Sequence, residues 1–126
     1  MDVRFNVHGN NLIEFNVKLY GLDFEIPKVL NDEDVEIFQS VFIEGYSIEC
    51  FNQIKKLKYE WVVDYCYSGR SGGWFCIETK SDIDYIKKGK QIDKITEIVE
   101  KYHNNYNVEF KNYLDKKALE KLSKED

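Results

Sequence analysis

Between Val3 and Leu19 the chain alternates apolar and polar residues: Val3, Phe5 and Val7, then, across His8-Gly9-Asn10-Asn11, Ile13, Phe15, Val17 and Leu19. A period of two puts every second side chain on one face of an extended strand, so this stretch buries its apolar set only as sheet. The Gly-Asn-Asn connection supplies residues that tolerate the positive φ of tight hairpin turns. A β-hairpin is predicted. Leu22, Phe24 and Ile26 repeat the period before Pro27, the single proline, and predict a third strand, making residues 1–30 a meander.

At Asn31 the period changes to a helical one. Val35, Phe38 and Phe42 share a face, Asn31 or Asp32 can cap the exposed N–H groups, and the acidic first turn complements the helix dipole. Gly45 marks a break, after which Ile48, Phe51, Ile54 and Leu57 predict a second helix from Ser47, ending among Lys55, Lys56 and Lys58. Ser81, Asp84 and Gly89 punctuate a short helix. Ile92, Ile95, Val99 and Tyr102 then predict an amphipathic helix to about His103, interrupted by His103-Asn104-Asn105-Tyr106-Asn107. Phe110, Leu114, Ala118 and Leu122 predict a last helix, with residues 123–126 as a frayed tail.

Strands grouped in hairpins favour an α+β domain over a parallel nucleotide-binding sheet. The expected architecture is an antiparallel sheet of about five strands, the N-terminal meander plus a central hairpin, with helices packed on one face and at the C-terminus. At 126 residues, 43% hydrophobic and 15% aromatic, the chain suits one domain over residues 1–126.

The central hairpin, Tyr59 to Lys80, is the richest segment: YEWVVDYCYSGRSGGWFCIETK. With a connection from Ser68 to Gly73, Tyr67 would oppose Trp74, Tyr65 would oppose Cys76, and Val63 would oppose Glu78. One face would then carry Trp61, Tyr65, Tyr67 and Trp74, and the other Val62, Cys66, Phe75 and Ile77. Both faces are apolar, so the hairpin is either covered twice or presents an aromatic platform. An aromatic platform would equally serve as a homodimer interface. In the connection, Arg70 offers a planar charged fork while Ser71, Gly72 and Gly73 offer a hydroxyl and free backbone N–H groups. Arg70 between aromatic residues is the mix enriched at binding hot spots, and the same groups could hold a phosphate or nucleotide.

Other chemistry finds little support. His8 and His103 lack ligand-spaced neighbours, so zinc is not expected. The acidic run from Asn31 to Asp34 lacks the glycine and distal glutamate of a calcium loop. Asp64 and Glu78 fall on opposite faces in the register above, which argues against an acid–base pair and against an enzyme. Cys50, Cys66 and Cys76 contain no CxxC pair and are odd in number; Cys66 and Cys76 lie on the two arms of the hairpin and could lie side by side if its register permits, but buried reduced thiols are expected. No cofactor is implied. The formal charge of −5, from 23 acidic and 18 basic residues, argues against direct nucleic-acid binding, which needs a positive surface. Imitation of nucleic acid would need a dense acidic face, and lysines are interspersed. No apolar run reaches membrane-spanning length and the start lacks a signal peptide's pattern, so a cytoplasmic protein is expected.

The segment YSGRSGGWFCIE resembles a signature in small proteins of bacteriophages and prophages. The resemblance covers Tyr65 to Glu78 and carries no catalytic residue with it. It implies a host-directed accessory protein of the anti-defence class, which includes anti-CRISPR inhibitors, working in the bacterial cytoplasm. The expected partner is a bacterial defence protein such as a Cas effector, bound through Trp61, Tyr65, Tyr67, Arg70, Ser71, Gly72, Gly73 and Trp74. Sequestration of a phosphorylated small molecule or nucleotide is the alternative.

Overall fold

A computed structural model describes residues 5–8, 12–15, 23–66, 75–81 and 83–124. Its described elements run β1 (Phe5–His8), β2 (Leu12–Phe15), α1 (Asp32–Lys55), β3 (Val62–Cys66), β4 (Cys76–Thr79) and α2 (Gly89–Lys124). The strands form one antiparallel sheet in the order β1-β2-β4-β3. The α+β class stands, but the sheet of about five strands is corrected: four strands are present among the described residues, with two long helices in place of several short ones.

The missing strand is the one predicted around Phe24. Asp23 to Pro27 form a bend and irregular chain, and the Phe24 ring meets Phe110 of α2 edge-on at 6.1 Å. Phe24 and Ile26 pack against the core instead of extending the sheet, and Leu22 lies outside the described residues. Leu30, buried, closes the turn by donating its N–H to the Pro27 carbonyl at 3.0 Å.

The sheet is held by its two central strands. Ile13 opposes Ile77, and Phe15, Phe75, Ile13 and Ile77 are fully buried, with the Phe15 and Phe75 rings 5.9 Å apart. Along β4 Glu78 is exposed between the buried Ile77 and Thr79, while Cys76 is buried as well. The edge strand β3 is irregular between Val62 and Asp64, and the Asp64 carboxylate accepts the Tyr65 backbone N–H at 2.8 Å. A bulge and a charge on an edge both discourage pairing with another chain.

Asn31 caps α1 in a reciprocal box: its side chain accepts the Asp34 N–H at 2.8 Å, and Asp34 accepts the Asn31 N–H at 3.3 Å. The helix continues through Gly45, so the predicted break is absent. It ends near Lys58, whose φ of 59° is left-handed and stops further helical turns. The predicted short helix before Gly89 is a run of turns in which Asp84 accepts the Ile86 and Lys87 N–H groups; Gly89 begins α2 rather than ending a helix.

The two helices run antiparallel, joined by an aromatic ladder. Phe38 meets Tyr113; Phe42 meets Tyr106, Phe110 and Tyr113; Tyr46 meets Tyr102 and Tyr106, all at centroid separations of 5.1–6.2 Å. Polar handles fix the register: Gln39 donates to the Tyr106 hydroxyl at 3.0 Å, and Tyr46 donates to the Tyr102 carbonyl at 2.5 Å. This ladder also corrects the predicted interruption at His103 to Asn107. Tyr106 is buried there, and its packing outweighs the weak helix preference of the asparagines around it.

Candidate protein interface

The residues read as a recognition surface divide into two groups. Tyr67, Arg70, Ser71, Gly72, Gly73 and Trp74 lie outside the described residues, and so does the anion site suggested by Arg70 to Gly73. Trp61 and Tyr65 are described, and both face inward. Trp61 is 5% exposed, its ring stacks on Tyr59 at 5.9 Å, and its indole N–H donates to Gln91 Oε1 at 2.5 Å. Tyr65 is half-buried, with its ring 5.6 Å from Phe51 of α1. These two rings join the sheet to the helices, a packing role that needs no partner.

The register explains the difference. Cys66 opposes Cys76, Tyr65 opposes Ile77, and Asp64 opposes Glu78, one residue away from the expected pairing. A one-residue slip exchanges the faces, so Tyr65 joins the core set with Ile77. Asp64 and Glu78, expected on opposite faces, are directly paired, and both are solvent-exposed. Among the described residues no group of three or more His, Cys, Asp or Glu side chains is placed to hold a metal ion.

The cysteines also part company. Cys76 is disulfide-bonded, contrary to the expected reduced thiol, and Cys66 stands opposite it in the register. Cys50 is a free thiol within α1, and burial pushes its pKa well above the ordinary value, which suits a packing residue rather than a nucleophile.

An unexpected surface lies on the outer side of α1. Val35, Ile43, Tyr46, Cys50 and Ile54 face the core, yet Ile37, Val41 and Ile48 are also apolar and are 56%, 57% and 39% exposed. At 3.6 residues per turn these three fall within a sector of about 40°, opposite the core. Gly45 sits beside them, and a Cβ built there would meet nothing within 4 Å, so the helix backbone itself is open to close approach. Glu33 and Glu44 border the stripe on one side, Glu36 stands behind them, and Glu49 lies toward the other side; all are exposed.

Sequence reading missed this surface because it ended a helix at Gly45. With the helix divided, Ile37 and Val41 are separated from Ile48. The signal was the spacing of four and then seven residues on the face opposite Val35.

The acidic side continues onto the helix–helix seam. A hollow of about 210 Å³ is lined by Tyr46, Glu49, Lys101, Tyr102, Asn105 and Glu109. Burial, followed by the charges of Glu109 and Glu49 among others, raises the Tyr46 pKa far above its ordinary value. Burial also raises that of Tyr102, with Glu49 the next contributor. Both phenols remain neutral donors in a negative setting. At the opposite end of α1, Lys121 reaches Asp34 at 3.0 Å, and Lys117 lies over the Phe38 and Tyr113 rings.

No protein-family model, no curated protein and no solved structure matches this chain. No helix among the described residues is long and apolar enough to cross a membrane.

Proposed function

We propose that the protein is a non-enzymatic interaction module that acts by covering a surface of another protein, with the outer face of α1 as its contact. The observation that carries this reading is the exposed stripe of Ile37, Val41 and Ile48 on the side of a helix turned away from its own core. One apolar face suffices to dock a helix, and a second leaves apolar area in water at about 25 cal/mol per Å² of lost burial. A clustered, exposed stripe is the kind of surface that marks a contact site. Gly45 supports the reading by leaving room for close backbone approach.

Following the hairpin's resemblance, the partner we propose is a bacterial defence effector such as a Cas nuclease, blocked by steric cover. The compartment that goes with this partner is the bacterial cytoplasm; the Cys76 disulfide is the one observation that argues for an oxidising space instead.

The test is capture of tagged wild type and an Ile37→Ser, Val41→Ser version from bacteria carrying active defence systems, after circular dichroism and melting confirm equal folding. Loss of a specific effector with the double variant, and restored effector activity in its presence, is the expected result. Equal capture and equal inhibition by both proteins would sink the assignment to α1.

A further inference from the structure

Resting on the reading of α1 as the contact, we infer that the surface it covers is a basic, nucleic-acid-binding face of the partner protein. The reason is where the charge sits. The chain has 23 acidic and 18 basic residues, and α1 holds six of the acids, Asp32, Glu33, Asp34, Glu36, Glu44 and Glu49, against one base, Lys55. That leaves 17 of each sign elsewhere, so the entire formal excess of −5 belongs to one helix. Asp34 is engaged by the capping box and Lys121. Asp32, Glu33, Glu36, Glu44 and Glu49 are all exposed along the same helix as the apolar stripe.

Such a helix complements a surface where lysine and arginine surround a shallow apolar patch. Nucleic-acid-binding faces concentrate positive charge to displace the counterions of phosphates, and a row of carboxylates on a rigid rod competes for the same groups. From Glu33 to Glu44 the row spans roughly 16 Å at 1.5 Å per residue, a length comparable to several phosphates of a strand. A second copy of this chain is disfavoured as occupant because α1 against α1 would bring like charges together.

The experiment uses the salt-eluted, DNA-cellulose-bound protein fraction of a bacterial lysate, returned to low salt and passed over three immobilised proteins. These are the wild type, a Glu33→Gln, Glu36→Gln, Glu44→Gln variant, and the Ile37→Ser, Val41→Ser variant, each shown by circular dichroism and melting to be folded. The protein retained by wild type is purified, and its affinity is measured with and without a short DNA duplex. The expected result is release by the duplex and roughly tenfold or greater weakening in the glutamine variant, with strong salt dependence. If the serine variant loses the protein while the glutamine variant and the duplex leave binding unchanged, α1 remains the contact and the nucleic-acid-binding face is wrong. If wild type retains nothing, or both variants bind as it does, both readings fall. A light-scattering mass that rises with concentration and reverts in the serine variant identifies a second copy as the occupant and overturns the inference.

Discussion

The two helices solve opposite problems. α2, 36 residues long, keeps Ile92, Ile95, Val99, Tyr106, Phe110 and Leu114 on its buried side and exposes Val108, Leu119 and Leu122 among charges of both signs, with Lys111 paired to Asp115 at 2.9 Å and Lys117 to Glu120 at 3.4 Å. Its polar surface is close to self-neutralising. α1, 24 residues long, is apolar on two faces and acidic around both. Both helices expose apolar residues; only α1 frames them with charge of one sign. The same ladder of rings joins them, so the difference lies in what each does with the side the ladder leaves free.

Four changes test that contrast, beginning with the largest. Phe110 is fully buried and touches Phe24, Phe42, Tyr106 and Tyr113, so Phe110→Ala is expected to cost about 3–5 kcal/mol in urea unfolding. A cost below about 1 kcal/mol would show that the ladder does not hold the helices together. Gly45→Ala runs the other way. In an exposed helix interior with open space around the new methyl, it should stabilise by about 1 kcal/mol while hindering close approach by a partner. Stability gained with binding weakened is the combination that would mark Gly45 as part of the contact.

Ile37→Ser with Val41→Ser should change stability by no more than about 0.5 kcal/mol per site, because neither residue belongs to the core. A large loss would mean that the stripe is structural and would erase the distinction between the helices. The smallest effect concerns acid. The Lys121 hydrogen bond, then the Asn31 backbone N–H, hold the Asp34 carboxyl below its ordinary value near 3.8. A lowered folded-state value means this contribution is complete above the unfolded value and disappears as pH falls through the lower one. Asp34→Asn should therefore flatten that part of an acid-unfolding curve without changing its shape near neutrality.

Much of the local architecture was legible because it depends on neighbours in the chain. The alternation around Val7 and Ile13 specified the first hairpin, and Asn31 with Asp34 specified the start of α1. The errors came where distant packing overruled a local preference. Gly45 lowers helix stability by only about 1 kcal/mol relative to alanine, and the contacts of Phe42 and Tyr46 with α2 exceed that. His103 to Asn107 read as a break because asparagine favours turns, yet Tyr102 and Tyr106 are rungs of the ladder. Phe24 fitted a strand by period, but its partner proved to be Phe110, which no local pattern reveals.

The candidate site was less legible than the fold. An arginine among aromatic residues drew attention to the central hairpin, and there Trp61 and Tyr65 turned out to serve the core. The outer stripe of α1 contains no unusual residue. It becomes visible only when the side facing α2 is known, since before that Val35 and Val41 look equally fit to be buried.

The ladder's sequence separation also has a consequence for synthesis. Tyr46 finds its partner Tyr102 56 residues later, and Gln39 finds Tyr106 67 residues later. A ribosome adding about 5–20 residues per second leaves α1 without α2 for several seconds, with apolar surface on both sides. During that interval a chaperone could grasp either side of the nascent helix, and only the arrival of α2 decides which becomes interior and which stays available to a partner.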